Sequence, residues 1–386
     1  MNQSINYIVQ VFRQYFSTEE VIIQSPGRIN FIGEHVDYNQ GPVLPGAIDK
    51  YIWAALSHAD SQSSIIAINS GRKINFDIKQ IQPEEFSDWG LYIIGVIKEL
   101  QNLGAEIGNF NMVFGGNIPI GAGLASSAAL ENALVMGLNT LFDLGLDKKA
   151  MILVSQRAEH NYVGVRCGIM DQFSSMFGQK DKLILLDTRN LEHEYIDFKS
   201  DNYELILVNS NVKHNLATSQ YNLRRQECDK AVEIIRKLYP QVNSLRDVSE
   251  QMLEATKNLM PAEIYNRSLF VVQEIERVYQ AKQAIIQKEW IKAGELLYQS
   301  HKGLSNLYQV SCEELDFLVE KAMEHPAVVG SRMMGGGFGG CTLNLVEKSQ
   351  TDNFGDYIRN IYQKQFNFSA EIYKVNLSEG TEEISG

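Results

Sequence analysis

Cysteine is scarce in this chain of 386 residues, with four in all, at Cys167, Cys228, Cys312 and Cys341. No CxxC pair and no short Cys/His spacing joins them, which excludes a disulfide framework and a cysteine zinc site and makes reduced thiols in a cytoplasmic setting the expectation. Positive charge is also short. Lys and Arg number 35 against 47 Asp and Glu, a net charge of -12, and a chain so acidic lacks the basic face that nucleic acid or an anionic membrane surface requires. Long apolar runs are absent too: none approaches the ~18 residues of a membrane span, and the N-terminus has no basic segment leading into an apolar one. Two nucleotide signatures are missing as well. There is no GxxxxGK[ST] lysine, and no GxGxxG followed by an acidic residue. With 44% hydrophobic residues the chain can still fill real cores, and its length suits two or three domains.

What the sequence does have is glycine in dense local runs. Gly115, Gly116, Gly121 and Gly123 lead through Asn117-Ile-Pro-Ile-Gly-Ala-Gly-Leu-Ala-Ser-Ser-Ala-Ala-Leu130 into helix-forming residues. Backbone N–H groups free of neighbouring Cβ atoms, aimed like the positive end of a helix starting near Ser126, form a cradle for phosphate. The competing reading is an ordinary capped turn, since Ser is a favoured helix cap. If the loop does hold phosphate, the cation it lacks must come from elsewhere.

A second dense stretch is Ser25-Pro-Gly-Arg-Ile-Asn-Phe-Ile-Gly-Glu-His-Val-Asp-Tyr38, where Arg28, Glu34, His35 and Asp37 interleave with Ile29, Phe31, Ile32 and Val36. Charge among core residues marks either a lined pocket or a solvated strand edge. Arg is a forked donor suited to phosphate, and carboxylates beside a histidine suit a polyhydroxylated ligand. Further along, Glu159 falls near the C-terminal end of a helix expected over 148–162, where its charge opposes the dipole. Asp171 stands among Met170, Phe173, Met176 and Phe177 as a base or orienting group, or as a helix cap. A second glycine run, Gly335 to Gly340, reads as close backbone packing or another anion contact.

Apolar spacing predicts helices over 5–16, 90–103, from 126, over 221–238 and in one long run over 264–308. It predicts strands over 21–23, 51–56, 64–68, 110–114, 183–186, 204–208 and 343–346. A change from mixed strands to long helices places a domain boundary near residue 200.

Taken together, Gly27 to Tyr38, Pro119 to Ala129 and Met334 to Cys341 resemble the three motifs of the galactokinase, homoserine kinase, mevalonate kinase and phosphomevalonate kinase (GHMP) superfamily. The first is similar to the galactokinase signature itself. Cys167-Gly-Ile-Met-Asp-Gln172, Asn209 to His214 with Tyr221 beyond, and Ser300 to Cys312 also follow galactokinases, so the resemblance covers nearly the whole chain. Two departures stand out: Ala125 where most members carry serine, and Val36 for the usual threonine.

The resemblance implies an α/β (α+β) chain of two domains with the active site between them. Residues 1–200 would be ribosomal protein S5 domain 2-like, and residues 201–386 ferredoxin-like with added helices. It implies ATP and Mg2+, with galactose as the sugar, or N-acetylgalactosamine or arabinose on the same scaffold, or a sensor that binds galactose and ATP without turnover. Substrate contacts would fall on Glu34, His35, Asp37, Asp171 and Tyr221, with Asp171 as base and Arg28 as its catalytic partner. The nucleotide loop would be Gly121, Ala122, Gly123, Leu124, Ala125, Ser126 and Ser127, with the metal on Ser127 and Glu159. An acidic, cytoplasmic monomer binding neither nucleic acid nor membrane completes the expectation.

Overall fold

A computed structural model describes residues 4–119, 121–212 and 217–384. Residue 120 of the phosphate-loop stretch and residues 213–214 of the segment matched to galactokinases lie outside the described residues.

The strand Val21–Asn30 anchors the N-terminal sheet because nine of its ten residues are buried and its outer neighbour is only the two-residue strand Glu382–Glu383. From there the sheet continues through Pro45–His58, Phe110–Gly116, Ser63–Ala67 and Arg72–Phe76. Pairing is antiparallel except between Ser63–Ala67 and Phe110–Gly116. The register shifts between Pro26 and Arg28. Such a bulge bends a strand and re-aims its side chains, and Arg28 emerges from it. The helix Ser126–Leu141 packs on this sheet with most faces buried, as expected of an Ala- and Leu-rich stretch without a polar stripe.

The second sheet begins at Tyr203–Asn209 and runs in the order Val328–Met333, Cys341–Glu347, Tyr203–Asn209, Glu371–Val375, all antiparallel. In chain order its strands lie 2-3-1-4, with helix between the first and second and between the third and fourth, which is the ferredoxin-like arrangement. Beyond Glu371–Val375 the chain returns to the first sheet, through a bridge from Leu377 to Ile48 and the pairing of Glu382–Glu383 with Val21–Asn30.

One expectation fails. The run over 264–308 is not a single helix but Ala262–Ile286 followed by Trp290–Gly303, and then a π-helical turn over Leu304–Tyr308. Gln287 closes the first helix and Lys288 turns it with φ 58°. Neither Gly nor Pro marks the break, so apolar periodicity runs straight across it. The two helices fold back on each other, and this hairpin grips the N-terminal motif from the far side: Glu274 Oε1 accepts from the Gly33 N–H at 3.1 Å and from the Ser300 hydroxyl at 2.6 Å.

Candidate active site

Arg28 leaves the bulged strand and is 3% exposed. A guanidinium so deep must be fully partnered. Its Nε and Nη2 donate to the two carboxylate oxygens of Asp171 at 2.8 and 3.0 Å, and its Nη1 donates to the Gly123 carbonyl at 2.5 Å. One cation therefore ties the glycine loop to the carboxylate. Burial opposes charge on Arg28, but Asp171, Glu34 and Asp37 outweigh it and raise the guanidinium's pKa. Asp171 sits in the first turn of the helix Met170–Phe177, and no side chain caps that helix, so its carboxylate is committed to Arg28 and not to a cap.

The glycine loop is shaped by backbone. Gly121, Gly123 and Ala125 have φ of 75°, 72° and 57°, and the helix starts at Ser126 directly after Ala125. Positive φ at alternate residues is a strained arrangement for any residue with a Cβ, yet Ala125 adopts it. Amides gathered in such turns at a helix N-terminus make an anion-binding concavity. The second glycine run packs behind: Cβ atoms built on Gly335 and Gly340 would lie 3.3 Å from the carbonyls of Gly123 and Ala122, and one on Gly337 only 2.1 Å from that of Val310. Packing thus accounts for that run.

Glu159 follows the helix Lys148–Ala158 as the first residue of a π-helical turn, Glu159–Val163, a distortion common at functional sites. It is 6% exposed, so solvent does not explain it. Burial pushes its pKa up to about 7, against hydrogen bonds from the Ser127 hydroxyl and the Cys167 thiol. Burial, together with the Glu159 charge, pushes the Cys167 thiol well up, so it stays protonated and donates.

Beside this centre a small cavity of about 50 Å³ is lined by Arg28, Glu34, His35, Asp37, Asp171 and Tyr221, with Cys167, Gly168, Met170, Gly335 and Gly336 completing it. The six side chains named first are the substrate and catalytic residues expected from sequence, and the fold brings them to one chamber. Glu34 enters already held: its Oε1 accepts from Arg332 Nη2 at 3.0 Å and from the Gly335 N–H at 2.8 Å. Asp37 Oδ1 accepts from the Tyr38 N–H at 2.9 Å and Oδ2 from the Met170 N–H at 3.4 Å. Burial, reinforced by the Asp171 charge, raises the Asp37 carboxyl to about 6. His35 has both ring nitrogens on protein partners, Tyr38 Oη at 2.8 Å and the Gly336 carbonyl at 3.2 Å. Burial drops its pKa to about 3, so it is neutral.

Sequence reasoning passed over Arg332, fully buried and bonded to the carbonyls of Asn30, Phe31 and Met333 as well as to Glu34. The signal was there: an arginine inside the apolar strand Val328–Met333, just ahead of glycines, has to be paired. It also passed over Gly168. A Cβ there would stand 1.8 Å from Asp37 Oδ2, so the absent side chain is what admits the carboxylate.

Chemically, the chamber presents three carboxylates to its occupant. These accept hydrogen bonds and repel anions, which selects a neutral molecule rich in hydroxyl groups. Next door lies an anion cradle, with one guanidinium between the two.

The comparisons with known proteins point the same way. Models of three families match: the galactokinase galactose-binding signature at residues 10–58, the GHMP kinase N-terminal domain at 91–179 and the GHMP kinase C-terminal region at 281–364. A galactokinase of Thermosipho africanus is 40% identical over 362 residues, covering 94% of this chain and 99% of its own. The crystal structure of Lactococcus lactis galactokinase complexed with galactose superposes with a TM-score of 0.93 at 30% identity, covering 98% and 100% of the two chains. Mevalonate kinase of Methanococcus jannaschii shares the fold, with a TM-score of 0.67 at 16% identity over 94% of this chain and 99% of its own. With that kinship over nearly its whole length, the chain belongs to the galactokinase family of GHMP sugar kinases.

Proposed function

We propose that this chain transfers the γ-phosphoryl group of ATP to the C1 hydroxyl of galactose, giving galactose 1-phosphate and ADP. The observation that carries the reading is the position of Arg28, bonded at once to Asp171 in the carboxylate-lined chamber and to Gly123 in the glycine loop.

The proton of the attacking hydroxyl goes to Asp171. A sugar hydroxyl is a weak acid, but in a loose transition state the proton leaves late, once the oxygen has bonded to phosphorus, so a carboxylate serves mainly by orienting the nucleophile. Arg28 holds Asp171 in place through its paired hydrogen bonds and neutralises charge growing on the transferred oxygens, the role a loop lysine fills in other nucleotide folds. Backbone N–H groups over Gly121 to Ser127 hold the phosphates. Glu34, Asp37 and Tyr221 take the other sugar hydroxyls. Donation from these hydroxyls relieves the burial that raises Asp37, and an analogue lacking one leaves a buried acceptor unpaired.

The donor set at Ser127 and Glu159 fits magnesium. Both are hard oxygen ligands, and Glu159 is buried with no ion-pair partner among the described residues. The ion's remaining ligands would come from phosphate and water, as is usual for magnesium. When bound, magnesium supplies charge neutralisation across the phosphate oxygens. The four cysteines are free, as thiols of a cytoplasmic enzyme are, and we take the protein to act there as a monomer. No helix among the described residues is long and apolar enough to cross a membrane.

A coupled ADP-release assay with galactose, glucose, N-acetylgalactosamine and arabinose tests the proposal. Turnover highest with galactose is expected. Turnover highest with another sugar reassigns the substrate, and ATP binding without turnover on any of them makes the protein a sensor.

A further inference from the structure

His35 is the end of a buried chain of hydrogen bonds that leaves the cavity and crosses into the helical hairpin. Its Nδ1 lies 2.8 Å from Tyr38 Oη, Tyr38 Oη lies 2.6 Å from Tyr308 Oη, and Tyr308 Oη lies 3.3 Å from Cys228 Sγ. Asn39 Nδ2 donates to Cys228 Sγ at 3.6 Å. Neither Tyr38 nor Tyr308 lines the cavity.

Every proton in this relay has one place to be. The Gly336 carbonyl only accepts, so His35 Nε2 carries a hydrogen. The ring is buried and neutral, which leaves Nδ1 bare and requires Tyr38 to donate to it. Tyr38 has then spent its only hydrogen and must accept from Tyr308, which in turn accepts from the Cys228 thiol. The direction is fixed from end to end, and a single wrong donor would leave a buried group unpaired. Packing holds the same members in register. The Tyr308 ring lies 4.9 Å from the His35 ring, and Tyr221 stands 5.3 Å from His35 and 5.5 Å from Tyr38. The backbone of Tyr308 is pinned by Arg224, whose Nε donates to its carbonyl at 2.8 Å.

We propose that Tyr38, backed by Tyr308, is a positioning residue for the sugar: it donates to the bare Nδ1 of His35 and so holds the ring in the orientation in which its Nε2–H ties the wall of the cavity to Gly336 of the second glycine run. His35 is then a strut that sets the distance between two walls, and the hydroxyl relay is what keeps the strut from turning. This rests on the cavity being the sugar site, and the test separates the two claims.

Ring-nitrogen NMR of the full-length protein at neutral pH reads the tautomer without any turnover. The expected spectrum has His35 protonated at Nε2 and bare at Nδ1. In Tyr38→Phe the bare nitrogen loses its donor, so the Nδ1 resonance should shift while Nε2, still facing the Gly336 carbonyl, keeps its hydrogen. The galactose KM should rise roughly 5- to 30-fold, with kcat within about threefold and the ATP KM unchanged, the pattern of a lost ground-state contact. Tyr308→Phe should move the galactose KM the same way by about two- to fivefold, because Tyr38 still donates but is less well held. A wild-type His35 protonated at Nδ1 would overturn the proposal, as would a folded Tyr38→Phe enzyme whose galactose KM stays within about twofold of wild type. Should Tyr38→Phe not fold, Tyr308→Phe decides, an unchanged galactose KM there overturning the proposal. Should the wild type turn over no galactose, the assigned function fails, while the Nδ1 resonance of the wild type against that of Tyr38→Phe still shows whether Tyr38 donates to His35.

Discussion

The two halves of the proposed site are built by opposite means. The sugar side is made of side chains that are paired before any ligand arrives: Arg28 with Asp171, Glu34 with Arg332 and Gly335, His35 with Tyr38 and Gly336. The phosphate side has hardly any side chain to offer, and relies on positive φ at Gly121, Gly123 and Ala125 and on the start of a helix. The difference follows from the ligands. A neutral sugar is told from its isomers only by where its hydroxyl groups lie, which demands acceptors held to a few tenths of an ångström. A phosphate chain carries its own charge, and any nest of N–H groups will hold it. On the proposed assignment specificity sits where the protein has paired groups in advance, and Arg28 serves both sides.

If that division holds, substitutions on the two sides should separate in their effects. The largest is expected at the shared centre: Asp171→Ala should lower kcat by roughly 10³ or more, with the ATP dissociation constant, measured by titration calorimetry, within several-fold of wild type. Comparable loss of ATP binding would mean the sides are not separable. On the sugar side alone, Gly168→Ala inserts a methyl group where Asp37 Oδ2 now lies. It should raise the galactose KM about tenfold or more, equivalent to displacing one contact of ~1.4 kcal/mol, and leave the ATP KM as it was.

A smaller effect is expected at Asp37, in stability. Its carboxyl is raised from 3.8 to about 6, so the empty folded state binds the proton more tightly than the unfolded chain does, and stability falls as pH rises from 3.8 towards 6. Above pH 6 the whole penalty is present. Asp37→Asn removes it and should stabilise the empty protein at pH 8 by on the order of 1 kcal/mol, with the gain gone by about pH 4; thermal melts at both pH values check this. The variant should bind galactose poorly, a gain in stability at the expense of function. The smallest effect belongs to the phosphate side. Ala125→Ser should change the ATP KM by less than about threefold, because backbone donors and Ser127 carry that contact. A larger gain would show that the missing hydroxyl mattered.

Much of the fold was legible where periodicity and turn chemistry agree. The helix after Ala125, the strand into the glycine loop and the helix closing on Glu159 all follow from local pattern. Pattern could not find the break at Lys288, which has neither Gly nor Pro to announce it. Nor could it find the return of residues 377–383 to the first sheet, a pairing across more than three hundred positions. At the site, resemblance to kinases named the residues, but only the fold supplies their partners. Arg28 and Asp171 are 143 positions apart, Glu34 and Arg332 298 apart. Glu34 and His35 look in sequence like free polar groups awaiting a sugar. In the fold each is already bonded to protein, and the physical reason is burial: at 2% and 3% exposure neither could remain unpartnered.

The central claim is that one guanidinium, with a carboxylate on one side and an amide nest on the other, brings the sugar to the phosphate. A crystal structure with galactose and a non-hydrolysable ATP analogue tests it most directly. The account predicts the C1 oxygen within about 3 Å of an Asp171 oxygen, and the terminal phosphate on the Gly121 to Ser127 amides beside Arg28. A sugar seated with C1 turned away from Asp171, or phosphates bound clear of that turn, would contradict it.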